Sequence, residues 1–186
     1  NKFSDNSYEE FMKSMEDLQK QGLLQLVLDL RGNGGGFMNE AVDMADEFLD
    51  GDKLVVYMKG DKTKKTEYRC KRPGLLEKGK LVVLVDELSA SASEVLAGAL
   101  QDWCRATIIG RRTFGKGLVQ QQYPLSDGAA LRLTIARYYT PLGRSIQRSY
   151  AKGKKVYMDE LWDRYNSGEM FSEDSVLRHQ NGKKFS

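Results

Sequence analysis

Twice in this chain an apolar strand-like run leads through a short loop into a helix and then into another strand-like run, and this doubled pattern limits the possible folds. The first series is "LLQLVLDL", the loop "RGNGGG", the helical stretch "NEAVDMADEFLDG" and the run "KLVVYMK". The second is "KLVVLVDE", a serine-rich turn, the helical stretch "SEVLAGALQDWC" and the run "ATIIG". A nearly unbroken apolar run of this length is how a parallel strand covered on both faces reads. In the first helix Ala41, Met44, Ala45 and Phe48 fall on one side, as an amphipathic helix requires. The expected class is therefore α/β, with β-α-β units, a mostly parallel central sheet and helices packed on it.

Other segments complete the outline. Ser7 and Glu10 have capping-box spacing ahead of Phe11, Met15 and Leu18, and Gly22 is placed to end that helix. "DKTKKTEYRCKRPG" reads as a hairpin or loop, and Asp127-Gly128 separates two β-rich runs as a hairpin turn. From about Arg148 the chain is polar with one helical stretch, "MDELWDRYNSG". The expected division is a core over 1–147 and a peripheral C-terminal extension over 148–186.

Composition narrows the function classes. At 186 residues the chain suits one domain with a real core. Its 29 basic and 26 acidic residues interleave, so no broad nucleic-acid face is implied. The longest clean apolar run, Leu81 to Val85, is far too short to span a bilayer. Cys70 and Cys104 have no CxxC context, so two unpaired thiols are expected, with neither a zinc site nor a disulfide. The opening "NKFSDNSYEEF" lacks an initiating methionine and reads as part of a longer protein.

Two glycine-rich stretches imitate phosphate loops. "GRRTFGKG" nearly spells GxxxxGK[ST], but Gly117 stands where the magnesium-binding hydroxyl belongs, and "LVQQQYPL" after it reads as strand, not helix. "GNGGGF" fails as a dinucleotide fingerprint because Phe37 occupies the third glycine position.

In a parallel sheet with right-handed crossovers, strand C-termini and the following helix N-termini share one edge. "RGNGGG" and the serines Ser89, Ser91 and Ser93 should both lie there. A helix of roughly 18 Å runs away from Ser91 and a strand returns, which brings Lys116 back towards the helix start. A hydroxyl, an amine and a glycine-rich backbone loop would then converge as nucleophile, base and oxyanion site. Ser91-Ala92-Ser93-Glu94 also fits a capping box, and a cap hydroxyl sits beside free amides, so the two roles are compatible. From geometry alone, Ser89 and Ser93 stay open as nucleophiles. The only histidine, His179, lies in the charged tail "DSVLRHQNGKK", from which a Ser-His-Asp triad would need a fold-back. Lysine is the remaining base. A free lysine, with a pKa of about 10.4, is protonated at neutral pH. Burial beside Phe114, Leu118 or Val119 is expected to lower it.

At these residues the match becomes specific. "LVLDLRGNGGG", "VVLVDELSASASEVLAGALQD", "RATIIGRRTFGKGLVQ" and "LRLTIARYYTPLGRSIQ", between about Phe3 and Gln147, resemble the carboxyl-terminal processing peptidases, or tail-specific proteases. The resemblance implies that Ser91 is the nucleophile, that Lys116 is the general base, and that Gln120 helps hold the lysine. Simple strand alternation would put Lys116, Leu118 and Gln120 on one face. The resemblance further implies an oxyanion hole from the Ala92 amide and from Gly35 or Gly36, a crotonase-like β-β-α spiral, and a site without metal or cofactor. Substrates would be extended polypeptides cut near their C-termini through an acyl-enzyme, in the bacterial envelope, as in the periplasm, or in an equivalent lumen. A PDZ domain would precede this core, with "NKFSD" just after it. Leu88 departs from the glycine common at its position. The rival reading is a non-catalytic ligand- or peptide-binding module on the same fold, as in the interphotoreceptor retinoid-binding protein. An acyl-CoA enzyme finds no CoA-binding signal in the sequence.

Overall fold

The computed structural model describes residues 2–171. Helix α1 (Ser7–Lys20) leads into β1 (Gln25–Asp29), α2 (Met38–Asp46), β2 (Leu54–Lys59) and β3 (Thr66–Arg69). Then come β4 (Lys80–Val85), α3 (Ala92–Asp102), β5 (Thr107–Gly110), β6 (Leu118–Pro124), β7 (Ala130–Tyr139) and α4 (Lys154–Asn166). Gly22 ends α1 as expected. At φ +84° its amide donates to the Gln19 carbonyl while the Leu23 amide donates to Leu18, the paired bonds of a Schellman turn. The capping box at Ser7 and Glu10 does not form, because Asn6 is the cap and Ser7 is already helical. The Ser7 hydroxyl instead accepts the Ser4 amide.

The strands form two sheets. One is parallel, in the order β1-β4-β5, and the other antiparallel, in the order β3-β2-β7-β6. The second β-α-β unit is present: β4 and β5 are parallel neighbours joined through α3. The first is not. β4 takes the place beside β1, from Gln25↔Lys80 to Asp29↔Leu84, and β2 joins the antiparallel sheet. There Tyr57 of β2 stacks on Tyr139 of β7 with centroids 5.0 Å apart. The expectation of one mostly parallel sheet is thus corrected to a parallel three-stranded sheet beside an antiparallel four-stranded one. The predicted hairpin of β6 with β7 is found, turning at Gly128 with φ +86°, and the segment read as a hairpin or loop supplies β3, which pairs back onto β2.

The core lies on one side of the parallel sheet. Leu81, Val83 and Val85 alternate inward from β4 onto Phe48 and Leu49 after α2, and onto Leu96 and Leu100 of α3. β1 was expected to be covered on both faces, yet it alternates, and Val27 is 61 % exposed. Alternation in a parallel strand means that helices cover only one face of this sheet among the described residues. Among those residues no helix is long and apolar enough to cross a membrane.

Both cysteines are free, Cys70 buried and Cys104 exposed. Burial, reinforced by the Asp46 carboxylate, pushes the Cys70 thiol up to about 12. At neutral pH Cys70 is therefore a neutral thiol, the unreactive form. Alkylation of the native chain with a maleimide, mapped by mass spectrometry, should modify Cys104 and spare Cys70. Equal modification of both in the folded chain would contradict this placement.

Candidate active site

Three loops meet at the C-terminal edge of the parallel sheet. Asp86, at the end of β4, accepts the Gly32 amide on both carboxylate oxygens at 3.0 Å and also the Leu88 and Ser89 amides. Ser89 donates its hydroxyl to the Leu30 carbonyl at 2.8 Å and accepts the Asp86 amide. The Asn33 carbonyl accepts the Ser93 hydroxyl at 2.9 Å and the Ala90 amide at 3.0 Å. Ser89 and Ser93 are fully buried, so both hydroxyls act as struts between the glycine loop and the serine loop. Ser91 is only half-buried and caps α3 at φ 57°, ψ −113°. A non-glycine residue at positive φ is uncommon, and such strain gathers at functional sites.

The structure distinguishes the two candidate glycines. A Cβ on Gly35 would fall 2.7 Å from Ser91 Cβ and 2.8 Å from the Ala92 amide nitrogen. At φ +87° and in that contact, only glycine lets the loop approach. Gly36 is turned against Phe3, whose carbonyl would lie 2.0 Å from such a Cβ. Gly35 is therefore the glycine beside Ser91, although its amide here donates to Asn33 Oδ1 at 3.0 Å. A cleft of about 420 Å³ bounded by Lys2, Asp29, Arg31 and Asn33 opens beside this loop. Within it the Arg31 guanidinium hydrogen-bonds Asp29 and holds that carboxyl down to about 2.

The third loop returns as strand-helix-strand geometry requires. The Phe114 amide donates to the Ser89 carbonyl at 3.0 Å. Glu94, 6 % exposed in the first turn of α3, makes the central connection. Its Oε2 accepts the Ser91 and Lys116 amides, both at 2.8 Å. Its Oε1 accepts the Gly115 amide at 2.6 Å and the Thr113 hydroxyl at 2.7 Å. One carboxylate thus ties the backbone of Ser91 to that of Lys116. Further on, the Gly117 amide donates to Gln147 Oε1 at 3.0 Å and its carbonyl accepts the Tyr138 amide.

One expectation needs correction. Lys116 is exposed, because it precedes β6 at the outer edge of the antiparallel sheet, and Phe114 packs against Arg148. Gln120, on β6, is exposed as well, and the register shift beside it leaves the extra residue, Ile135, on β7. His179 lies outside the described residues.

Comparison with known proteins places this constellation. A family model described as peptidase family S41 matches residues 1–154. The chain belongs to peptidase family S41. The carboxyl-terminal-processing protease of a Picosynechococcus species is 43 % identical over 158 residues, covering 80 % of this chain and 35 % of that protein. A carboxy-terminal-processing protease of Bartonella bacilliformis is 37 % identical over 187 residues, covering 98 % of this chain and 43 % of that protein. Among solved structures, a photosystem II D1 C-terminal processing protease aligns with a TM-score of 0.72 at 41 % identity, covering 78 % of this chain and 37 % of that one. This S41 chain therefore spans well under half the length of those relatives.

Within this S41 core, reading the sequence found Glu94 only as a helix cap. The signal for more was its type, since a carboxylate offers about four acceptor sites and a cap uses one or two. Asn33 and Gln147 carried no comparable signal. Glu94→Ala would leave the Ser91, Gly115 and Lys116 amides and the Thr113 hydroxyl without their acceptor. Urea unfolding should show a loss of about 3 kcal/mol or more, given the strength of hydrogen bonds to charged groups, with a smaller loss for Glu94→Gln. A loss under about 1 kcal/mol would contradict the assigned clamp.

Proposed function

We propose that this chain is the catalytic core of a serine endopeptidase that uses Ser91 and Lys116 as a dyad to cut extended polypeptides near their C-termini. The observation that carries this reading is the Glu94 carboxylate, which bonds the Ser91 and Lys116 amides on a single oxygen, beside Gly35. Membership of family S41 and similarity to proteins named carboxyl-terminal-processing proteases support it.

In the proposed reaction the neutral Lys116 amine takes the Ser91 hydroxyl proton while Oγ attacks the scissile carbonyl carbon. The oxyanion forms against the Ala92 amide, at the positive end of α3. The Gly35 amide joins it by exchanging its bond to Asn33 Oδ1 for the substrate oxygen. The lysine ammonium then gives its proton to the departing amine as the C–N bond breaks, leaving an ester on Ser91. Water, deprotonated by Lys116, attacks that ester, and the proton returns to Ser91 as the new C-terminal carboxylate leaves. Substrate lying over the exposed Lys116 would close the amine off from solvent. Gln120 is assigned to hold the lysine in that closed state, and the crotonase-like spiral and a place in the cell envelope belong to the same reading.

A fluorophosphonate tests the assignment. Mass spectrometry should place the adduct on Ser91, with none in Ser91→Ala and labelling slowed about a hundredfold or more in Lys116→Ala. An adduct that persists without Ser91 would sink the proposal, and a native chain that takes no adduct would favour a binding module. In the wild type the labelling rate should rise from neutral to alkaline pH, because only the unprotonated amine accepts a proton. A rate that is flat across that range, with adduct formation limiting, would count against lysine as the base.

A further inference from the structure

The segment after Gln147 touches the lysine loop at groups other than those bonded by Glu94. On α4, Tyr157, Glu160 and Arg164 recur at intervals of three and four, so they share one face. All three are spent on the loop or on residues bound to it. Arg164 is 4 % exposed. Its Nη2 donates to the Arg112 carbonyl at 2.6 Å, its Nη1 lies 3.5 Å from the Thr113 carbonyl, and its Nε donates to Glu169 at 2.8 Å. Glu160 pairs with both Arg112 and Arg148. The Arg148 guanidinium is sandwiched between the Phe114 and Tyr157 rings, 4.8 and 4.0 Å from their centroids, and the Arg148 amide donates to the Gly115 carbonyl. The Tyr157 hydroxyl accepts from Gln147, whose other amide atom holds Gly117.

A buried guanidinium is costly unless its donors are matched, and this one spends Nε on the Glu169 carboxylate just after α4 and turns both Nη atoms to backbone carbonyls two and three residues after β5. The Glu169 pair alone would need only one edge of the guanidinium, and the other edge is aimed at the loop. We propose that Arg164 is a positioning residue for Lys116: with Glu94 gripping the loop amides and Arg164 gripping its carbonyls, the lysine approaches Ser91 along one path. The inference rests on the proposed Ser91–Lys116 dyad. It makes α4 part of the catalytic apparatus, acting through the loop and not on substrate.

The test uses the 186-residue chain, with hydrogen–deuterium exchange of the loop amides and fluorophosphonate labelling as separate readouts. Arg164→Met keeps bulk and helix propensity but loses the donors. Exchange over 112–117 should become about tenfold faster, while α3 keeps its protection. The saturating rate of Ser91 phosphonylation should fall about tenfold, with the half-saturating reagent concentration unchanged, as expected for a misplaced base. Arg164→Lys should recover part of both effects, and Met158→Ala on the exposed face of α4 should change neither. Loop exchange within twofold of wild type in Arg164→Met overturns the proposal, as does faster exchange with an undiminished labelling rate. If α4 itself loses protection in Arg164→Met, Arg164→Lys is judged by the same two criteria. Lys116→Ala separates the two ideas. If it labels as fast as wild type, the dyad fails, whereas slow labelling in Lys116→Ala with wild-type behaviour in Arg164→Met fails the positioning role alone.

Discussion

A carboxylate shut away from water must find its hydrogen bonds inside the protein, and for Glu94 that requirement organises the site. Its four donors come from the cap of α3 and from the loop that leads to Lys116, segments more than twenty residues apart. Satisfying the charge therefore fixes the start of the helix and the return path of the chain together. Asp86 does the same for the other half of the site, drawing the Gly32 amide onto the serine loop. The loops meet because two buried acceptors demand it, with Ser89 and Ser93 as cross-struts.

The two sheets divide the work. The parallel sheet delivers the glycine loop and the serine loop to one edge and anchors them through the core beneath α2 and α3. The outer strand of the antiparallel sheet, β6, begins two residues after the lysine, so Lys116 sits where one sheet's last loop becomes the other sheet's outer strand. That position explains why the lysine is open to solvent while its amide is held by Glu94.

Much of this arrangement was legible in the sequence because it follows from local chemistry. The capping pattern at Ser91, the Schellman glycine Gly22 and the Asp127-Gly128 turn each need only a few neighbouring residues. The return of Lys116 to Ser91 followed from helix and strand lengths together with crossover handedness. The pairing of β2 was not legible, since an apolar run carries no label for the sheet it joins, and β4 competes for the place beside β1. That Gly35 and not Gly36 lies beside Ser91 depended on which backbone comes within contact distance.

The sequence by itself determined the inventory of chemistry: a serine at a helix start, a lysine in a glycine turn, a glycine-rich loop, and their common edge. These rest on short-range propensities and on the fixed dimensions of regular structure. Only the tertiary structure decided how the pieces are held, through Glu94 and Arg164. Those bonds join residues far apart in the chain, and which buried charge meets which backbone group is settled only when the elements pack. It also decided the surroundings of Lys116, because exposure depends on what the fold places over a residue and not on its apolar neighbours in sequence.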